Sequence, residues 1–173
     1  FAISILKPYQ KSRILTFFNP DRDPLGAGYQ IIQSKIAIGS GGFFGKGFLK
    51  GTQSYLEFLP EKHTDFIFTL FSEEFGFLGS IILILLYILL IYRIINVGLL
   101  SRSFFAKLYC FGFATAIFLY VFVNIAMVLG MLPIVGAPLP IMSYGGSSLL
   151  SIMLGLSIVM SCKIYNQEQI TAY

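Results

Sequence analysis

The sequence is short of charge. Only 12% of its 173 residues are Asp, Glu, Lys or Arg, where an ordinary soluble domain carries about a quarter. Residues 108–162 hold no Asp, Glu, Lys, Arg or His at all, a stretch too long for one membrane-crossing helix and read here as a pair of them. Histidine is nearly absent too: His63 is the single one. One histidine without paired cysteines does not make a zinc site, and no Ser-His-Asp set can be argued from it. The two cysteines, Cys110 and Cys162, both lie in apolar stretches and read as small buried residues rather than as a disulfide. No arginine-rich or aromatic-interleaved motif for nucleic acid occurs, so the net charge of +4 is assigned to lipid headgroups and orientation. There is also no initiator Met and no basic region before a cleavage site. Residues 1–6 read as the cut end of an earlier membrane helix, and the chain as the C-terminal part of a longer protein.

What is present is apolar: 56% of the residues are hydrophobic and the mean hydropathy is +0.80. Three complete spans are predicted, over residues 66–92, 108–129 and 144–162, the first uncharged from Phe75 to Tyr92. At 1.5 Å per residue the first is long enough to cross a ~30 Å hydrocarbon core. Residues 130–145 contain Pro133, Pro138 and Pro140 and cannot form a regular helix. The expected fold is therefore an all-α membrane protein, a polytopic helical bundle. Residues 1–65 would be the end of a truncated membrane helix and a long extracytoplasmic loop with interfacial helices. Residues 66–173 would be a three-helix transmembrane region with a short tail. Arg93, Arg102 and Lys107 bracket the first short loop, and the second short loop has no basic residue. The positive-inside rule then puts the first loop and the C-terminus in the cytoplasm and residues 7–65 outside. That long segment holds eight Lys and Arg, but loops approaching about 60 residues follow the rule poorly.

Along the long segment, Lys7 to Arg13 read as a basic exit from the membrane, anchored in headgroups. Asp23 and Pro24 signal a helix start. Residues 29–38 carry Tyr29, Ile32 and Ile36 at helical spacing, too short to span and suited to the interface or the side of the bundle, with Gly39 as C-cap. Residues 39–47, Gly-Ser-Gly-Gly-Phe-Phe-Gly-Lys-Gly, look like a phosphate loop but lack the Walker spacing, and no strand precedes them. Two readings stand. One is a flexible loop dipping Phe43, Phe44 and Phe48 into the interface. The other brings its N–H groups and Lys46 or Lys50 to a lipid pyrophosphate.

The polar groups then gather in Leu56-Glu57-Phe58-Leu59-Pro60-Glu61-Lys62-His63-Thr64-Asp65-Phe66, at the edge of the first span. Glu57, Glu61 and Asp65 fall at i, i+4 and i+8, one face of a helix if Pro60 permits it. Acids so placed can raise each other's pKa and poise one as a base, or simply sit in solvent beside Lys62. An acid where water gives way to lipid is costly unless partnered or used; Asp65 is either a helix N-cap or a catalyst. Asn124, a polar residue inside the second span, bonds another helix or lines a substrate path. Ser143-Tyr144-Gly145-Gly146-Ser147-Ser148 opens the third span as a packing or binding surface.

The runs Leu6-Lys7-Pro8-Tyr9-Gln10, Asp23-Pro24-Leu25-Gly26-Ala27-Gly28-Tyr29, Gln33 to Gly42, Gly51-Thr52-Gln53-Ser54, Phe58 to Phe66, Pro138-Leu139-Pro140 and Ser143 to Ser147 together resemble the shape, elongation, division and sporulation family of peptidoglycan glycosyltransferases. The wording is nearest its rod-shape-determining branch. The resemblance covers nearly the whole chain. It implies a multi-pass enzyme of the bacterial plasma membrane that polymerises lipid II into glycan strands, with the family's essential aspartate at Asp65. The candidates for contacting substrate beside it are Lys46, Lys50, Glu57, Glu61, His63, Thr64 and Ser143. It further implies a class B penicillin-binding transpeptidase, the elongation machinery and membrane lipids as partners. No residue is assigned to a metal, though Mg or Mn could steady the pyrophosphate. A lipid II flippase or transporter, or a non-catalytic scaffold of the cell-wall synthase, would share the spans and use Asp65 differently.

Overall fold

A computed structural model describes residues 13, 15–17, 26–51 and 64–171, with the side chains of residue 27 and of 167–171 left out. Residues 1–6, 21–25 and 52–63, including Glu57, Glu61 and His63, lie outside the described residues. The described residues are all helix, turn and irregular chain, in the order α1 (Ala27–Gly41), α2 (Ile67–Leu100), α3 (Phe104–Val128) and α4 (Gly146–Thr171). Residues 13 and 15–17 are also helical. Three helices are long and apolar enough to cross a membrane: α2, α3 and residues Gly146–Asn166 of α4. These are the three expected spans.

Several ends differ from expectation. The helix-start signal at Asp23 and Pro24 lies outside the described residues; α1 begins at Ala27, after Gly26 at φ −117° and ψ −129°, which no helix can run through. It ends at Gly41 rather than Gly39, with Gly42 beyond it at φ +58° and ψ −151°, a positive-φ conformation that favours glycine. One face of it packs on the bundle, and the Ile32–Ile36 stripe is not that face. Ile31, Ser34 and Ala37 are buried, whereas Ile32 and Ile36 are exposed. Small residues let α1 lie close to α2 and α3, and the Ser34 hydroxyl donates to the Val128 carbonyl at the end of α3 (2.9 Å).

The basic loop shrinks to residues 101–103, because Arg93 is inside α2 and Lys107 inside α3; Arg and Lys are good helix formers and do not end a helix. Gly98 admits the close approach of this hairpin, since a Cβ there would lie 2.9 Å from that of Cys110. Cys110 is buried and Cys162 half-buried, both as free thiols. The last helix runs on through Lys163 to Thr171 instead of stopping at Cys162, since the polar residues there are themselves helix-compatible.

The core lies among α1, α2, α3 and residues 134–139: Phe66, Phe68, Met127, Val128, Ile134 and Leu139 are its buried centre. The fourth helix attaches through its middle, around Gly155 and Val159. There Gly155 receives the Phe113 ring, and the Tyr109 hydroxyl donates to the Gly155 carbonyl (3.3 Å).

Candidate active site

Residues 129–145 are irregular, as the prolines require. Irregular backbone at membrane depth leaves carbonyls without a helical donor, and it persists only where protein satisfies them. Three side chains from three parts of the chain do so. Arg13 Nη1 donates to the Ile134 carbonyl (2.9 Å), Asn124 Nδ2 to that of Ala137 (2.6 Å), and the buried Tyr87 hydroxyl to that of Pro140 (2.5 Å). The loop is thus fixed at three points, and Leu139 between them is buried.

Asp65 sits where this loop meets the start of α2. Residues 64–66 form a turn, Asp65 is half-buried, and Phe66 behind it is 1% exposed. The N-cap position of α2 is Phe66, with no side-chain cap, so the capping alternative for Asp65 does not match the observed helix start. Asn124, fully buried, donates a second Nδ2 bond to the Asp65 carbonyl (2.8 Å). It therefore bonds two loops rather than another helix. The Asp65 carboxylate faces Gly136: a Cβ built on Gly136 would lie 3.2 Å from Asp65 Oδ2. Thr64 is half-buried next to it in the turn. Ser143 is buried at the far end of the loop. Its N–H donates to the Leu139 carbonyl (3.0 Å), and its hydroxyl has no partner among the described residues.

A second structure forms around Gly76, where α2 breaks (φ +69°, ψ −164°). The glycine loop after α1 fills the break. Phe77 and Leu78 N–H groups donate to the Gly42 and Phe43 carbonyls (2.9 and 3.2 Å). In return, Lys46 and Gly47 N–H groups donate to the Glu73 and Glu74 carbonyls (both 3.0 Å). The Phe77 and Leu78 N–H groups and the Glu73 and Glu74 carbonyls, which a continuous helix would pair with each other, all have loop partners, which is what makes a broken helix tenable in a membrane. Glycine is required on both sides. A Cβ on Gly76 would collide with the Gly45 nitrogen, and one on Gly45 with the Glu74 carbonyl.

The clasp is locked by charge. Glu73 is fully buried, and its Oε1 accepts from Lys46 Nζ at 2.8 Å. The loop is therefore held against α2. Its Lys46 and Gly47 amides are engaged by α2, while Phe44 and Phe48 are exposed. Lys50, exposed at the loop's end, uses its N–H on the Gly47 carbonyl (3.1 Å). Asp65 and the clasp share one end of α2, eight residues or ~12 Å apart along a helix.

Glu73 escapes the sequence reading because the first span is treated as apolar from residue 66 on. The adjacent pair Glu73-Glu74 inside that span was the available signal, because buried acids at membrane depth are partnered or functional. Among the described residues, no three His, Cys, Asp or Glu side chains group as metal ligands.

With this geometry in view, the comparisons with known proteins fall into place. Residues 1–168 match the FTSW/RODA/SPOVE cell cycle protein family. The chain is 55% identical over 157 residues to peptidoglycan glycosyltransferase MrdB of Escherichia coli strain K12, covering 91% of this chain and 42% of that protein. It is 45% identical over 160 residues to peptidoglycan glycosyltransferase RodA of Treponema pallidum, covering 92% and 37%. The chain thus spans well under half the length of these relatives. In solved structures it resembles a chain described under structural coordination of polymerization and crosslinking by a peptidoglycan synthase complex. That match has a TM-score of 0.72 and 39% identity, over 94% of this chain and 44% of that one.

Proposed function

The chain belongs to the FTSW/RODA/SPOVE cell cycle protein family, and on that premise we propose that it serves a peptidoglycan glycosyltransferase that polymerises lipid II, with Asp65 as general base. The observation that carries the assignment is the placing of Asp65: a carboxylate at the membrane end of α2, its backbone held by a buried amide and its Oδ2 facing a glycine. In the proposed step, Asp65 takes the proton from the 4-hydroxyl of an acceptor GlcNAc. That oxygen forms a bond to the anomeric carbon of the donor MurNAc, and the bond from this carbon to undecaprenyl pyrophosphate breaks on the opposite face, the pyrophosphate leaving with the electron pair. One base and a stabilised leaving group suffice, without the second carboxylate a glycosidase uses.

Lys50, exposed beside the clasp, is the proposed contact to pyrophosphate, and Lys46 supports it from its pair with Glu73. Thr64 and Ser143 flank the sugar path in this reading, with Glu57, Glu61 and His63 contributed by the segment before Asp65. No step is routed through a metal. Asp65 and the clasp face the outside of a bacterial plasma membrane, with residue 102 and the C-terminus in the cytoplasm. A class B penicillin-binding transpeptidase and the elongation machinery are the proposed partners. Support comes from the names of the relatives and from the peptidoglycan synthase complex in which the structural neighbour occurs.

The intact protein, purified in detergent and given lipid II alone, tests this reading. Glycan polymer is expected. Because a micelle offers no second leaflet, a pure flippase or scaffold yields none, and absence of polymer from folded protein would overturn the enzyme reading.

A further inference from the structure

We propose that Asn124 is a positioning residue for the base: its carboxamide ties the backbone of Asp65 to the loop segment at Gly136 and Ala137 and so sets where the carboxylate stands. The inference rests on the reading of Asp65 as general base and deepens it.

At the start of α2 the Thr69 N–H donates to the Phe66 carbonyl (3.0 Å), and the Asp65 carbonyl has a donor from α3. Asn124 takes this carbonyl (2.8 Å) and, with the second hydrogen of the same Nδ2, the Ala137 carbonyl (2.6 Å). Those two carbonyls lie 59 and 13 residues away in sequence, on opposite sides of Asn124. Both partners are acceptors, so a group with two hydrogens on one atom is needed. An amide supplies that without charge, and a carboxylate or a single hydroxyl does not. The Asn124 Oδ1 has no partner among the described residues, so in this site the side chain acts as a double donor only.

Ala137 is next to Gly136, whose φ of +79° favours glycine and whose missing Cβ lets Asp65 Oδ2 lie close against the loop. One nitrogen atom therefore holds both the backbone of the base and the segment the base faces. Catalysis depends on such spacing: a misplacement of about 1 Å costs ~10²-fold in rate.

The test is a cycle of three variants of the intact protein, Asn124→Leu, Asp65→Asn and the double, with initial rates of lipid II polymerisation taken per folded molecule. Asn124→Leu should lower kcat by ~10- to 10²-fold with KM within about twofold. In the Asp65→Asn background the same change should cost less than about twofold, because there is no longer a base to position. Losses that multiply in the double variant, or a wild-type kcat for Asn124→Leu, would overturn the inference. If Asn124→Leu does not fold, Asn124→Gln replaces it in the cycle. It keeps both donors on a longer arm, and it should retain thermal stability while losing kcat; wild-type kcat overturns the inference equally. Wild-type turnover by Asp65→Asn itself would remove the base reading and this inference with it. A dead Asp65→Asn beside fully active Asn124 variants would remove this inference alone.

Discussion

The two ends of α2 solve the membrane problem in opposite ways. Up to Gly76, the helix is buried nearly all round: Phe68, Thr69, Leu70, Ser72, Glu73 and Gly76 are all covered. Much of that surface is polar; the glycine clasp, the Lys46–Glu73 pair and the Ser72 hydroxyl's bond to the Phe68 carbonyl serve it, while the Thr69 hydroxyl has no partner among the described residues. Beyond the break, only Ser80, Tyr87, Ile94 and Gly98 are buried. The first three are seven residues apart, a single stripe of coiled-coil period, while Leu85, Leu86, Ile88 and Leu89 face outward. A stripe of this kind needs only a neighbouring helix. A polar, broken end needs a specific partner for each group. Candidate chemistry gathers at the second kind of end, where fixed polar groups are already being held in place.

The comparison breaks most readily at Gly76. Gly76→Ala meets an unfavourable positive φ and the Gly45 backbone together, and should destabilise by ~3–5 kcal/mol, the sum of backbone strain and overpacking. Unfolding by denaturant titration in mixed micelles reads this out. Next in size is Lys46→Met, which strands a buried Glu73. A fully buried pair loses ~3–5 kcal/mol when one partner goes, but Lys46 is partly exposed, so about 2–3 kcal/mol is expected. Adding Glu73→Gln should recover much of the loss, and a double variant no more stable than Lys46→Met would argue against the pair.

Tyr87→Phe leaves the Pro140 carbonyl without its donor and should cost ~1–2 kcal/mol. That loss would show as a lower thermal midpoint and as faster proteolysis of the 130–145 loop. The smallest effect belongs to the plain helices. Gly112 lies in α3 with nothing within 4 Å of a built Cβ, so Gly112→Ala should stabilise by up to ~1 kcal/mol through helix propensity alone. A large loss there would mean that the apolar stripe is not the simple half of the molecule.

The simple half was the legible one. The three spans, the irregular proline segment and the burial of Cys110 follow from hydropathy and from proline's missing N–H, both local properties. Asp65 was legible from its place at the edge of a span, and Asn124 as a polar residue within one. What Asn124 holds was not legible, because its partners are backbone carbonyls at residues 65 and 137 that only folding brings together. The break at Gly76 was hidden for the same reason: its cause is the loop at residues 42–47, and Gly76 reads in sequence like any other glycine of a membrane helix. Which face of α1 meets the bundle was not legible, because Ser34 and Ala37 join Ile31 there while Ile32 and Ile36 stay exposed, small residues being what close helix approach in membranes favours.

The central claim is that Asp65 acts as a base. Asp65→Asn nearly preserves size, and α2 does not use this residue as its cap, so folding should be kept. The amide cannot take a proton at neutral pH. The direct measurement is the initial rate of lipid II polymerisation by purified Asp65→Asn and wild-type protein, matched for folded amount. The account predicts a loss of ~10²- to 10⁴-fold, the usual contribution of a general base, with the thermal midpoint unchanged; polymerisation at the wild-type rate would contradict it.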